Sequence, residues 1–202
     1  MTRTTLPIGT FVRIAKPELQ AIIDHLRESG YQVIGPTASE CAIVYDELET
    51  VEDFPIGYHD LQDGGKYRLE QTDEKTYFDY VVGPHSLKNY LFPPQATILE
   101  GIRADGSWQM RAGAPPEKPL AVIGPRACDL HAVQIQDRVF LGDQYVDPAY
   151  QARRESLFVV AVNCGRAAAT CFCHSMKTGP ALRGGFDLAI TEMEDFLVME
   201  VG

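Results

Sequence analysis

This 202-residue chain lacks any stretch that would serve as a membrane span. Its longest fully apolar run, Leu157–Val162, falls far short of the ~20 residues a bilayer requires. The opening residues, Met1 to Gly9, hold no apolar stretch of secretory length, so the expected compartment is cytoplasmic. A basic excess is lacking too. There are 18 Lys+Arg against 28 Asp+Glu, a formal charge of −10, which counts against nucleic acid and anionic membrane surfaces as partners. Glycine-rich phosphate cradles are absent as well. Gly57, Gly64-Gly65 and Gly184-Gly185 form neither G-x-G-x-x-G nor a P-loop, so no self-contained nucleotide site is expected. Finally, the five cysteines are odd in number and unevenly spaced. In a reducing compartment that is no disulfide framework, and they must be core thiols, reactive thiols or ligands.

What is present is ordinary for a globular chain: 45% hydrophobic and 23% charged residues, enough to bury about 70% of the unfolded surface in one large or two small domains. Lys16–Glu28 carries Leu19, Ile22, Ile23 and Leu26 at helical spacing, with Gly30 just beyond as a stop. Strands are expected at Tyr31–Ile34 and Cys41–Tyr45 around a Gly35-Pro36 turn, then at Tyr67–Leu69 and Thr76–Val82. A short helix follows at His85–Leu91, and a hairpin joins Ala96–Ile102 to Ser107–Arg111. The second half reads strand (Pro119–Ile123), helix (Asp129–Phe140), helix (Pro148–Glu155), strand (Leu157–Val162), with further strands at Phe186–Ile190 and Phe196–Val201. That is the grammar of an α/β layer. The expected fold class is therefore α/β, with a mixed α+β part over 1–114 and an α/β part over 115–202. The boundary is soft enough that both parts can form one domain.

Four cysteines fall in that second part. Cys128 follows the Gly124-Pro125 turn near a helix start, where negative charge is favoured and a thiolate is expected. Cys164 follows the buried strand at its C-terminal edge, where α/β sheets build their sites. Cys171 and Cys173 stand in the loop Gly165–Gly179. Soft sulfur ligands at one point select zinc or an iron–sulfur cluster. No C-x₂₋₄-C knuckle of a zinc site occurs, and widely separated thiolates suit a cubane. Arg126, His131, His174 and Lys177 offer positive charge or N–H donors around such a cluster. Buried, chemically inert thiols are the competing reading. The isolated Cys41 reads as a packed thiol.

Longer motifs sharpen this. Gly124-Pro-Arg-Ala-Cys-Asp-Leu-His-Ala-Val133, Val160-Ala-Val-Asn-Cys164 and Thr170-Cys-Phe-Cys-His-Ser-Met176 follow one another in order. So do Phe54-Pro55-Ile56-Gly57, Gly83-Pro84-His85-Ser86-Leu87-Lys88 and Leu91-Phe-Pro-Pro94. Together, from about Tyr31 onward, the chain resembles the N-terminal region of the iron–sulfur electron-transfer subunits of cytoplasmic sulfhydrogenases (beta) and anaerobic sulfite reductases (A). The resemblance implies one [4Fe-4S] cluster on Cys128, Cys164, Cys171 and Cys173. It also implies relay between a flavin- and NAD(P)-linked subunit and a catalytic hydrogenase or reductase subunit, with no catalytic residue of its own. That family carries two further clusters on a ferredoxin-type part, and this chain has no C-x₂-C-x₂-C-x₃-C run to hold them. A separate ferredoxin-type protein or a missing C-terminal domain is the corresponding expectation. The alternatives are a metal-free docking module and a Cys₄ zinc module. The acidic run Glu47–Asp53 reads as solvated surface.

Overall fold

The computed structural model describes residues 5–39, 41–81, 83–104, 106–113, 118–142 and 144–202. In chain order these form β1 (Phe11–Ala15), α1 (Leu19–Glu28), β2 (Gln32–Ser39), β3 (Ala42–Glu47), β4 (Tyr58–Asp63) and β5 (Lys66–Gln71). There follow α2 (Lys88–Leu91), β6 (Leu99–Ala104), β7 (Ser107–Ala112), β8 (Leu120–Ile123), α3 (Ala127–Phe140) and α4 (Pro148–Glu155). The last elements are β9 (Phe158–Val162), α5 (Cys173–Met176), β10 (Leu188–Glu192) and β11 (Phe196–Val201). This is an α/β fold. None of the described helices is long and apolar enough to cross a membrane.

The centre is one seven-stranded sheet in the order β1-β11-β10-β9-β8-β2-β3. Its middle four strands are parallel and its margins antiparallel. Strands from both sides of residue 114 enter it, and the expected boundary itself falls on 114–117, outside the described residues. Successive residues of the central strands serve opposite faces. Ala121, Ile123, Val160 and Val162 pack with α1 and the segments around Val51 and Phe78. Val122, Val159 and Ala161 pack with Leu91, Leu130, Val133 and Tyr150 of the other layer. Both faces are covered, which is why β8 and β9 read as continuous apolar runs.

The helices start and stop where their ends are satisfied. Asp147 accepts the N–H groups of Ala149 and Tyr150 at 2.9 and 2.8 Å, with Pro148 in the first turn of α4. Gly30 follows α1 at φ 90°, a left-handed position that costs glycine little.

Several strands differ from the expectation. Gly35-Pro36 is no turn but lies inside β2. Pro36 has no N–H to give, and it sits past Ile34, where pairing to β8 ends. A side chain at Gly35 would collide with Leu48. Cys41 therefore sits exposed in the β2–β3 turn instead of packed in a strand. β1 and β4 were hidden by composition: β1 alternates only between exposed and half-buried positions, and the buried residue of β4 is Asp60. The acidic run before β4 is not simply solvated surface. Its Leu48 and Val51 and the adjoining Phe54 enter the core, while Asp53 accepts the N–H groups of Glu49 and Thr50 at 2.8 and 2.7 Å.

No strand forms among the described residues of Thr76–Val82. Side chains fix that segment instead. The Glu192 carboxylate accepts the N–H groups of Tyr77 and Phe78, each at 2.8 Å, and pairs with Lys16 at 2.8 Å. Both partners are nearly buried, at 9% and 12% side-chain exposure. Removing one partner of such a pair strands the other charge and two N–H groups. Glu192→Ala is expected to cost about 3–5 kcal/mol of stability, with Glu192→Gln milder because its amide oxygen still accepts. Urea unfolding measures both. A loss under about 1 kcal/mol for the alanine variant would show that the clamp is dispensable.

Candidate metal centre

Two parallel strands end side by side at one sheet edge. β8 stops at Ile123, and the Gly124-Pro125 turn continues the ladder: Gly124 N–H donates to Val160 O and Val162 N–H to Pro125 O, each at 2.9 Å. Gly124 holds φ 101°, and a side chain there would meet the Pro36 ring at 2.9 Å. The turn delivers Cys128 in the first turn of α3, whose Arg126 N–H is capped by the Asp129 carboxylate at 2.8 Å. β9 delivers Cys164 two residues past Val162.

The loop beyond Cys164 is tied down from several directions. Arg166 donates to the Asp60 carboxylate and to its backbone carbonyl, each at 2.9 Å, and lies 3.3 Å from the Asp79 carboxylate. Asp60 is fully buried and also accepts Val81 N–H at 2.7 Å. Thr170 donates its hydroxyl to Gln62 on β4. Cys171 turns back on Ala168, its N–H donating to Ala168 O at 3.0 Å while its sulfur accepts Ala168 N–H at 3.4 Å. Cys173 opens α5, which ends at Lys177 in the left-handed conformation, φ 57°. A methyl group at Gly179 would lie 3.3 Å from the Cys173 sulfur.

Cys128, Cys164, Cys171 and Cys173 all line one cleft of about 400 Å³, with Arg126, Val81, Phe172 and Thr178 among its other walls. Cys41 is not among them. The exposure is graded: Cys171 is open to solvent, while the other three are half-buried. Among the described residues, no group of three or more His, Cys, Asp or Glu is gathered tightly enough for a single metal ion.

The residues expected around the thiols divide. Arg126 borders their cleft and is 2% exposed. Its guanidinium donates to Asn163 O at 3.0 Å, Phe78 O at 2.7 Å and Tyr80 O at 3.0 Å. Its Nε has no partner. His131 and Lys177 instead line an adjacent cleft, and His174 is exposed on α5. Asp60, Glu192 and Asn163 escaped sequence reading. Their partners lie up to 106 and 115 residues away, and no local spacing announces such contacts.

Nor does the helix start make Cys128 a thiolate in the metal-free chain. Burial pushes its thiol up to about 12, with the Asp129 carboxylate and the Cys164 and Cys173 thiols adding to the shift. Burial raises Cys164 too, against the opposing pull of Arg126. Both are neutral near pH 7. Alkylation of metal-free protein at pH 8, followed by mass spectrometry, is expected to modify exposed Cys41 and Cys171 first. Cys128 should lag an ordinary exposed thiol by at least about a hundred-fold, from its smaller thiolate fraction. Equal rates at Cys41 and Cys128 would contradict the burial seen here.

Four thiols from two strand ends and one loop of an α/β sheet thus share one cleft. No protein-family model matches the sequence, and no solved structure does either. Among curated proteins, the chain is similar to sulfhydrogenase 2 subunit beta of Pyrococcus furiosus, at 23% identity over 193 residues. The match covers 95% of this chain and 48% of that protein, so the chain spans about half the length of its curated relative.

Proposed function

We propose that Cys128, Cys164, Cys171 and Cys173 hold one [4Fe-4S] cluster, and that the chain is an electron-transfer part of a larger hydrogenase- or reductase-type complex. The observation that carries this reading is Arg126. A buried guanidinium with only carbonyl acceptors and an orphaned Nε is costly, and it stands beside a cleft walled by four thiols. The buried Asp129 carboxylate lies near Arg126 but makes no ion pair with its guanidinium, and a thiolate-ligated cluster is anionic and adds counter-charge on the cleft side. The donor set fits as well: all-sulfur, drawn from separate segments. A tetrahedral zinc site, with Zn–S bonds of about 2.3 Å, needs sulfurs roughly 3.8 Å apart. The cysteines here are spread around a cleft instead, which favours the wider ligand frame of a cubane, about 6–7 Å between sulfurs by cluster dimensions.

When bound, the cluster supplies reversible one-electron storage. The chain's own residues do the rest. Arg126 offsets negative charge from the closed side, through a frame made rigid by the Phe78, Tyr80 and Asn163 carbonyls. On the open side stand Cys171 and Phe172, the latter 71% exposed, with Met176 nearby at 60%. An apolar, exposed flank beside the most accessible ligand suits a docking partner. By the family resemblance and the sulfhydrogenase relative, the partners proposed are a flavin/NAD(P)-linked subunit and a catalytic hydrogenase or sulfite-reductase-type subunit. A ferredoxin-type part or protein continues the relay.

Anaerobic reconstitution is expected to yield about four iron and four sulfide per chain. Cys128→Ser and Cys173→Ser should abolish this stoichiometry while Cys41→Ser retains it; background iron in the wild-type chain, or one zinc in its place, refutes the assignment. Arg126→Gln should lower the reduction potential, because the more negative reduced state loses its cation, and Arg126→Lys should restore much of it. An unchanged potential in a loaded, folded Arg126→Gln variant would remove Arg126 from this role. Phe172→Asp should keep the cluster yet slow electron exchange with the partner complex. Loss of the cluster in that variant would make Phe172 a shield instead of a contact.

A further inference from the structure

Behind the thiol cleft lies a second one, and its charge is opposite to that of the chain. It measures about 270 Å³ and is walled by α3 on one side and residues 177–185 on the other. His131, Lys177 and Arg183 line it, and no carboxylate does, in a protein of net charge −10. Five cations elsewhere, Lys16, Arg27, Arg111, Arg154 and Arg166, each meet a carboxylate. Among the described residues, the side chains of His131, Lys177 and Arg183 make no ion pair.

The wall is built to admit a ligand closely. Gly184 and Gly185 sit at φ 144° and 81°, and no atom lies within 4 Å of where a Gly184 side chain would begin. Gln134 adds an amide and Thr178 a hydroxyl. The strap that carries Lys177 and Arg183 is anchored between them, since Leu182 N–H donates to the Asn163 side chain at 2.9 Å. Asn163 in turn donates to the Thr191 hydroxyl at 2.9 Å. The two cations are therefore offered by a fixed loop.

We infer that this cleft is an anion site that takes a tetrahedral oxyanion of the phosphate class, either free or as the terminal group of a larger molecule. Like charges gathered without counter-ions disfavour the folded chain, and a bound oxyanion relieves that cost through charge-assisted hydrogen bonds. The size agrees. About 270 Å³ is below the span of ordinary cofactor pockets, roughly 300–1,000 Å³, so a phosphate group fits better than a whole dinucleotide. This inference does not depend on the cluster, and it is tested on the metal-free 202-residue chain.

Titration calorimetry at low ionic strength uses inorganic phosphate and, separately, ADP as probes. The expected result is saturable one-to-one binding that weakens with added salt. Lys177→Gln and Arg183→Gln should each weaken it by about ten-fold. Arg103→Gln, on the exposed β6 strand away from both clefts, should change nothing. Equal affinity for phosphate and ADP identifies a free oxyanion as the ligand; much tighter ADP binding identifies a nucleotide-borne phosphate. Absence of saturable binding overturns the inference. So does binding that survives the Lys177→Gln/Arg183→Gln double variant with its circular-dichroism spectrum intact.

Discussion

A guanidinium taken out of water is the constraint around which the site is built. Arg126 lies 2% exposed at the point where β8 turns into α3, and desolvating such a charge costs several kcal/mol unless it is met on all sides. The fold meets it with three backbone carbonyls, two from the strandless segment at Phe78 and Tyr80 and one from Asn163. Those carbonyls are available only because other buried charges hold their segments. Lys16 and Glu192 fix Tyr77 and Phe78, while Asp60 and Arg166 join β4, Val81 and the loop after Cys164. Three interlocked polar groups thus do at this edge what a β-ladder does elsewhere in the sheet.

Cys128 and Cys164 are thereby poised and yet unreactive. Cys128 and Cys164 are raised by burial, and the cation nearby acts on Cys164 in the opposite direction. Ligation by a soft metal requires deprotonation, so binding and proton release are linked. With the proposed cluster, a preplaced cation and neutral Cys128 and Cys164 thiols would favour a strongly thiophilic occupant over adventitious hard cations. The carbonyl frame fixes where that positive charge sits and leaves it one N–H short.

The sequence made the central layer legible because the layer obeys local rules. Leu157–Val162 reads as a strand covered on both faces, and α4 begins at Pro148 after an Asp cap, both visible in a few consecutive letters. That the four cysteines share one cleft was legible from Cys128 and Cys164 after strands and Cys171 and Cys173 in one loop. Other features depend on partners far along the chain. Asp60 in Tyr58–Asp63 looks like a polar loop residue until Arg166, 106 residues on, is folded against it. β2 was broken at Gly35-Pro36 because that pair ordinarily signals a turn. Here glycine is required by Leu48 and Ile123, and proline is tolerated where the parallel neighbour has ended. His131 and Lys177 were assigned to the thiols by proximity in sequence. His131, three residues after Cys128 on α3, lines the adjoining cleft together with Lys177.

The two clefts are close enough for each to feel the charge of the other. Thr178 lines both, and Ala127, which walls the second, directly precedes Cys128. Charges in adjoining clefts interact through a medium of effective dielectric constant well below that of water. With the proposed cluster and the inferred oxyanion both bound, electrons added on the sulfur side and the anion on the cationic side would oppose each other, and linkage makes the effect reciprocal. The anion would then lower the tendency of the cysteine site to be reduced, and reduction would loosen the anion. Lys177 and Arg183 would mediate this coupling: with their cleft empty their charge favours negative charge at the cysteines, and with it filled that charge is neutralised. With the proposed cluster and the inferred anion both in place, electron affinity at the cysteines would depend on what the neighbouring cleft holds, with no movement of the fold required.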